Sequence, residues 1–208
     1  HDSLPEFAYP LNEQVRLWSE YSPALYELIV KLYAGNRMLD TDTVPFGLRT
    51  FRAEGSRFSV NGNTTFLRGK NDCCVFPLTG YPPMNTEAWQ RLFRKAKSYG
   101  INHYRFHSWT PPEAAFDAAD REGIYIQAEL PDWSALTEKD TFRTRFQLQE
   151  GLAILDTYGN HPSFVMFTLG NELTGDSAVH NRLVAQFRQH DDRRLYAYGT
   201  NAFYTDPA

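Results

Sequence analysis

Apolar residues fall into two rhythms along this chain, and the change between them comes near residue 53. Before it the period is two. Within residues 24–34, Tyr26, Leu28, Val30 and Leu32 alternate with Glu27 and Lys31, which predicts a strand with one buried face. Gly35-Asn36 reads as the turn that follows. Residues 44–51 read as a second strand interrupted by Pro45 and Gly47, and residues 15–18 as a third. Three strands are too few to close a β-sandwich, which takes seven or so over roughly 100 residues. Residues 1–52 are therefore expected to be the last strands of such a domain.

From residue 53 the rhythm becomes strand, helix, strand. Residues 57–60 and 65–68 flank Asn61-Gly62-Asn63, a hairpin signal because Asn-Gly tolerates positive φ. Asn85 is placed to cap a helix over 86–99, with Trp89, Leu92, Phe93 and Ala96 on one face and Gly100 as its stop. A strand is expected at 101–107, a helix from Pro111-Pro112 to Glu122, and a strand at 124–129. A long helix over 140–158, with Phe142, Phe146 and Leu155 inward, leads to the continuous apolar strand 164–169. A helix at 178–190 and a strand at 195–199 complete the pattern. Buried strands alternating with helices make a parallel α/β sheet, either doubly wound or a (β/α)₈ barrel. No Gly-rich phosphate loop of either common kind occurs, and polar residues gather at the strand ends. In a barrel that rim holds the active site. Residues 53–208 are read as a partial barrel of about five strands.

Composition narrows the field without deciding it. Lys+Arg 21 against Asp+Glu 25 gives a net charge of -4, and no basic block is present, so nucleic acid is not an expected partner. The apolar runs are far shorter than the roughly 20 residues of a membrane span, so no membrane partner is expected either. Aromatic residues make up 15 %, which suits a sugar cleft and equally a packed core. The two cysteines, Cys73 and Cys74, are neighbours. A bond between them would strain the backbone, so both are read as free thiols. His1-Asp2-Ser3-Leu4-Pro5 has neither the basic nor the apolar part of a leader, as expected if the chain starts inside a longer protein. The compartment is left open.

Candidate chemistry lies at the strand ends. Glu172 follows the apolar strand 164–169, where apolar surroundings would disfavour the charged carboxylate, as a general acid requires. A first-turn acid of the next helix would show the same pattern. Glu129 repeats the placement one strand earlier, with a salt bridge to Arg105 as its plain structural use. His103, Arg105 and His107 share a strand face by period two. Two histidines are a weak metal signal, and neither metal nor cofactor is assigned. Asp117, Asp120 and Glu122 are read as a solvated helix face, and no serine lies in a G-x-S-x-G setting.

Several stretches, taken in order, resemble glycoside hydrolase family 2, the family of β-galactosidases, β-glucuronidases and β-mannosidases. They are Phe46-Gly47-Leu48-Arg49, Phe58-Ser59-Val60-Asn61-Gly62, Leu67-Arg68-Gly69-Lys70-Asn71, Asp120-Arg121-Glu122-Gly123-Ile124 and Asn160-His161-Pro162-Ser163 through Gly170-Asn171-Glu172. The resemblance implies the end of an immunoglobulin-like sandwich followed by the first part of a catalytic TIM barrel. It implies Glu172 as acid/base, Asn171 as the residue that bonds the sugar 2-hydroxyl, and Glu129 and Arg105 as pocket residues. His107, Trp109 and Trp133, on βα loops, are expected sugar contacts, with packing beneath the loops as the alternative for each Trp. Two departures stand out. The family's His after the second strand comes one position early, as His107, and another after the first strand is replaced by Cys73.

The function expected is that of a retaining exo-glycosidase fragment, acting on a terminal β-linked sugar of a carbohydrate substrate. In the family the nucleophile is a Glu ending the seventh strand, so the fragment alone is expected to be inactive, and to pair with a second copy over its open barrel edges. A non-catalytic carbohydrate-binding module and a metal-dependent hydrolase using His103 and His107 are the competing readings.

Overall fold

The computed structural model describes residues 8–11 and 14–199; residues 1–5, read above for a leader, lie outside the described part. Strands β1 (Tyr26–Ala34) and β2 (Arg37–Phe46) pair antiparallel about Gly35, whose φ is +60. The second strand thus starts earlier than residue 44 and runs through Pro45, opposite Glu27. A two-stranded ribbon has only edges, where a missing N–H is tolerated. The expectation of one buried face is corrected as well. Leu28, Ile29, Val30, Leu32, Tyr33, Met38 and Leu39 are all about half exposed, because among the described residues no second sheet lies over the ribbon. Residues 15–18, expected as a strand, form none, and Trp18 at their end is wholly buried.

Next come β3 (Phe51–Glu54), β4 (Arg57–Val60) and β5 (Asn63–Thr65), an antiparallel meander. Asn61 at φ +53 and Gly62 at φ +78 form the two-residue turn, which is why Asn-Gly stands there. The returning strand begins at Asn63 rather than at residue 65. Phe51 and Val60 from this meander pack with Trp18, Tyr125 and Val165. Together they plug the end of the barrel at which its strands begin.

The barrel strands are β6 (Gly69–Asp72), β7 (His103–Phe106) and β8 (Tyr125–Glu129), separated by α1 (Thr86–Ser98) and α2 (Glu113–Glu122). The short β9 (Ala135–Leu136) and the long α3 (Thr141–Tyr158) lead to β10 (Phe164–Thr168). Then β11 (Thr174–Gly175), α4 (Ser177–His190) and β12 (Leu195–Ala197) follow. Strands β6, β7, β8, β10 and β12 form one parallel sheet in chain order. A doubly wound sheet would reverse its order at a switch point; this one does not. The fold is a partial TIM barrel behind the end of a sandwich.

Local sequence explains the helix ends. The Asn85 side chain accepts from the Ala88 N–H at 2.9 Å, and Gly123 closes α2 at φ +69 with the Glu20 backbone so near that a Cβ would meet it at 2.8 Å. Strand alternation sends Tyr104, Phe106, Ile126, Ala128 and Phe167 outward against Trp89, Phe93, Phe116 and Phe187 of the helices. Each such ring contributes about 1.5–3 kcal/mol by leaving water. Leu92, Phe142 and Phe146, expected inward, are exposed, whereas Leu155 is buried. Asp120 is also corrected. It is buried at the foot of the barrel, where it accepts from the Ser163 N–H at 3.0 Å and pairs with His161 at 2.7 Å.

One arginine joins the sandwich end to the barrel. Arg49 donates to the carbonyls of Pro162 (3.0 Å), Phe164 (2.7 Å) and Arg193. Burial, then the nearby Arg194 and Arg193 charges, lower its pKa to about 10, so it is still cationic at neutral pH. A cavity of about 620 Å³ opens beside it, at the end of the barrel away from the carboxylates.

Candidate active site

The inward positions of β7, β8 and β10 alternate with the outward ones just described, and at their C-terminal ends they carry polar groups. Glu129, the last residue of β8, is fully buried. Its Oε1 accepts from Arg105 Nε at 2.7 Å, the Thr168 hydroxyl at 3.0 Å and Gln127 Nε2 at 3.3 Å. Its Oε2 accepts from Arg105 Nη2 at 3.1 Å and the Ser108 backbone N–H at 2.7 Å. A carboxylate with a bidentate guanidinium and three further donors is tightly specified, and its burial is compensated by the pairing. Ser108 reaches it from φ +59, a left-handed conformation uncommon outside glycine.

Arg105 passes this order on. Its Nη1 donates to Asn71 Oδ1 at 3.1 Å and its Nη2 to Asn171 Oδ1 at 2.9 Å, so one guanidinium joins residues of β6, β8 and the turn after β10. With the carbonyl oxygen of Asn171 held by Arg105, its amide has one orientation. Glu172 comes next, again at a left-handed φ of +48. Its side chain is exposed, so the apolar enclosure expected for it is absent; the apolar residues of β10 point into the core below. Glu172 Oε2 accepts instead from Trp133 Nε1 at 3.0 Å. Trp133 is 60 % exposed, and its ring lies edge-to-face with His107, centroids 4.9 Å apart. Glu172, Asn171, Glu129, Arg105, His107 and Trp133 thus share one rim. Trp109 is set apart. It is half-buried against Phe106 and Phe76, and its Nε1 donates to the Asp72 carbonyl at 3.0 Å.

Comparison with known proteins follows the same order along the chain. "Glycosyl hydrolases family 2" matches residues 6–49, and "Glycosyl hydrolases family 2, TIM barrel domain" matches residues 51–206. The chain belongs to glycosyl hydrolase family 2. It is 29% identical over 168 residues to the "Beta-galactosidase BoGH2A" of Bacteroides ovatus, covering 77% of this chain and 19% of that one. To the "Beta-glucuronidase" of Paenibacillus borealis it is 29% identical over 197 residues, covering 88% and 32%. The crystal structure of a beta-glycosidase from Bacteroides vulgatus superposes with a TM-score of 0.75 at 26% identity, over 88% of this chain and 24% of that one. The chain spans about a fifth to about a third of the length of these curated relatives.

Within this family 2 rim, sequence reading missed Gln127, Thr168, Asn71 and the Ser108 N–H, which together hold the Glu129–Arg105 pair. A signal existed for one of them. Gln127 interrupts an otherwise apolar strand and shares the Glu129 face by period two. The Ser108 contact depends on a backbone angle and leaves no such trace. No group of three or more potential metal ligands occurs among the described residues. His103 and His107 are not a pair. His107 is at the rim, whereas His103 is buried at the start of β7 with its Nε2 lacking a hydrogen-bond partner among the described residues.

Burial, then the Arg105 charge, lowers the His103 pKa from 6.5 to about 4, so it is neutral in the fold. The unfolded chain takes up this proton first as pH falls. The stabilisation is therefore complete above about pH 6.5 and is lost between there and about pH 4, amounting to about 3 kcal/mol at 1.36 kcal/mol per pKa unit. The urea midpoint of the complete polypeptide should fall between pH 7.5 and 5.0, and less so in His103→Gln. Equal falls in both proteins would show that His103 does not carry the dependence.

Proposed function

We propose that the complete polypeptide containing this chain is a retaining exo-glycosidase that removes a terminal β-linked sugar from an oligo- or polysaccharide, with β-galactosidase-like cleavage favoured. The observation that carries the reading is the Glu172 carboxyl at the open end of β10, beside an Asn171 amide held in one orientation by the Arg105–Glu129 pair. Glu172 acts as acid/base. It protonates the glycosidic oxygen as the bond breaks and later takes the proton from the incoming water. Asn171 bonds the sugar 2-hydroxyl, where hydrogen bonds strengthen in the transition state. Glu129 and Arg105 shape the pocket floor, and His107 and Trp133 line its wall. The β-galactosidase and β-glucuronidase relatives support the anomeric preference.

The nucleophile is proposed to be a glutamate ending a seventh strand, outside these residues. Purified alone, residues 1–208 are then expected to turn over no glycoside at a meaningful rate and to self-associate through the edges of β6 and β12 that are unpaired among the described residues. Both proteins should be assayed on nitrophenyl β-glycosides and treated with a 2-fluoro glycoside that traps the covalent intermediate. Labelling should fall outside this chain. Turnover by the fragment within tenfold of the complete protein, or a label on Glu129, would overturn the assignment.

A further inference from the structure

Trp133 is too exposed to be core, yet its position is strongly determined. The loop that carries it and the turn that carries Glu172 are joined by a series of backbone bonds on both sides of the two residues. Asn171 N–H donates to the Asp132 carbonyl at 3.0 Å, Thr174 N–H to that of Ser134 at 3.2 Å, and Asp176 N–H to that of Leu136 at 2.8 Å. The short parallel pair β9–β11 lies within this series. Gly170, at φ +145, lets the chains meet so closely that a Cβ there would stand 2.2 Å from the Asp132 carbonyl oxygen. Trp133 lies between the first two acceptors and Glu172 between the first two donors. Their separation is therefore set by backbone, while His107 fixes the tilt of the indole.

From this geometry we propose that Trp133 is a positioning residue for Glu172, selecting which carboxyl oxygen carries the proton delivered to the leaving group. The inference rests on Glu172 being the acid/base. An indole N–H only donates. In a neutral carboxyl the carbonyl oxygen is a better acceptor than the hydroxyl, so an indole held on Oε2 favours the proton on Oε1. When the bond from the anomeric carbon to the leaving oxygen breaks, its electron pair goes to that oxygen. The proton on Oε1 follows, leaving a carboxylate whose Oε2 is still held by Trp133. A carboxyl free to rotate would present the wrong oxygen for part of the time. Trp133 removes that freedom, which is the kind of orientation that raises reactivity.

The test uses the complete polypeptide and two substrates of the same sugar, a phenyl and a 2,4-dinitrophenyl β-glycoside. The second needs little protonation. Trp133→Phe keeps a ring against His107 and removes the N–H; Trp133→Tyr, measured in parallel, removes it with a different ring. For each, kcat/KM on the phenyl glycoside should fall at least tenfold more than on the dinitrophenyl one, with KM little changed. Equal losses on both substrates, or a loss confined to KM, would make Trp133 a sugar platform and overturn the inference. Glu172→Gln is the reference. If it separates the two substrates and both Trp133 variants do not, the inference alone fails. If Glu172→Gln does not separate them, the acid/base reading fails and the inference goes with it.

Discussion

Glu172→Gln should slow the complete enzyme by about 10² to 10⁴-fold on glycosides with poor leaving groups, the usual contribution of a positioned general acid. Glutamine keeps the shape and can still accept from the Trp133 indole, but it has no proton to give. The loss should shrink sharply in the first step on dinitrophenyl substrates. Deglycosylation then becomes limiting, because the same side chain no longer activates water. Added azide, a nucleophile that needs no base, should restore turnover and yield the glycosyl azide. A variant that loses phenyl and dinitrophenyl substrates equally, with no azide rescue, would place the acid/base elsewhere.

Glu129→Ala should have the largest effect on stability. Arg105 keeps only 15 % of its side-chain surface exposed, and its strongest partner would vanish. Removing one member of a buried pair costs about 3–5 kcal/mol, because the other charge stays without compensation. The Ser108 N–H and the Thr168 hydroxyl would lose their acceptor too. Replacing both partners by apolar residues, Arg105→Met with Glu129→Leu, should recover most of that stability, since no buried charge is left. Activity should not return, because the Arg105 bond to the Asn171 carbonyl oxygen is then gone. Denaturant midpoints beside turnover numbers separate the two effects. Recovery of both together would show that the pair serves the fold alone.

The barrel was legible in the sequence because its strands and helices differ in apolar period, and because Gly100, Gly123 and Asn85 mark the helix ends. The rim was legible for a simpler reason. Charged residues at the ends of apolar strands have few structural uses, so Arg105, Glu129 and Glu172 stood out. What escaped depended on partners rather than on local pattern. The sandwich ribbon reads as half-buried from its alternation, yet nothing among the described residues covers it. Asp120 has the spacing of a surface acid, and only the approach of His161 and Ser163 from distant sequence makes it a buried one. Phe142 and Phe146 share this difficulty, since helical period says which residues lie together but not which side meets the core. The enclosure expected around Glu172 failed because a strand's apolar side chains protect what lies along it and not what lies past its end.

The plug of Trp18, Phe51, Val60, Tyr125 and Val165 has a consequence for traffic. Among the described residues these aromatic and branched side chains close the floor beneath the rim, which leaves the rim as the way to Glu129 and Glu172. In an exo-acting enzyme of the proposed kind, the released monosaccharide must leave by the doorway through which the next chain end arrives. Product inhibition by the free sugar should therefore be competitive with substrate. The aglycone, bound nearest the mouth, departs before it.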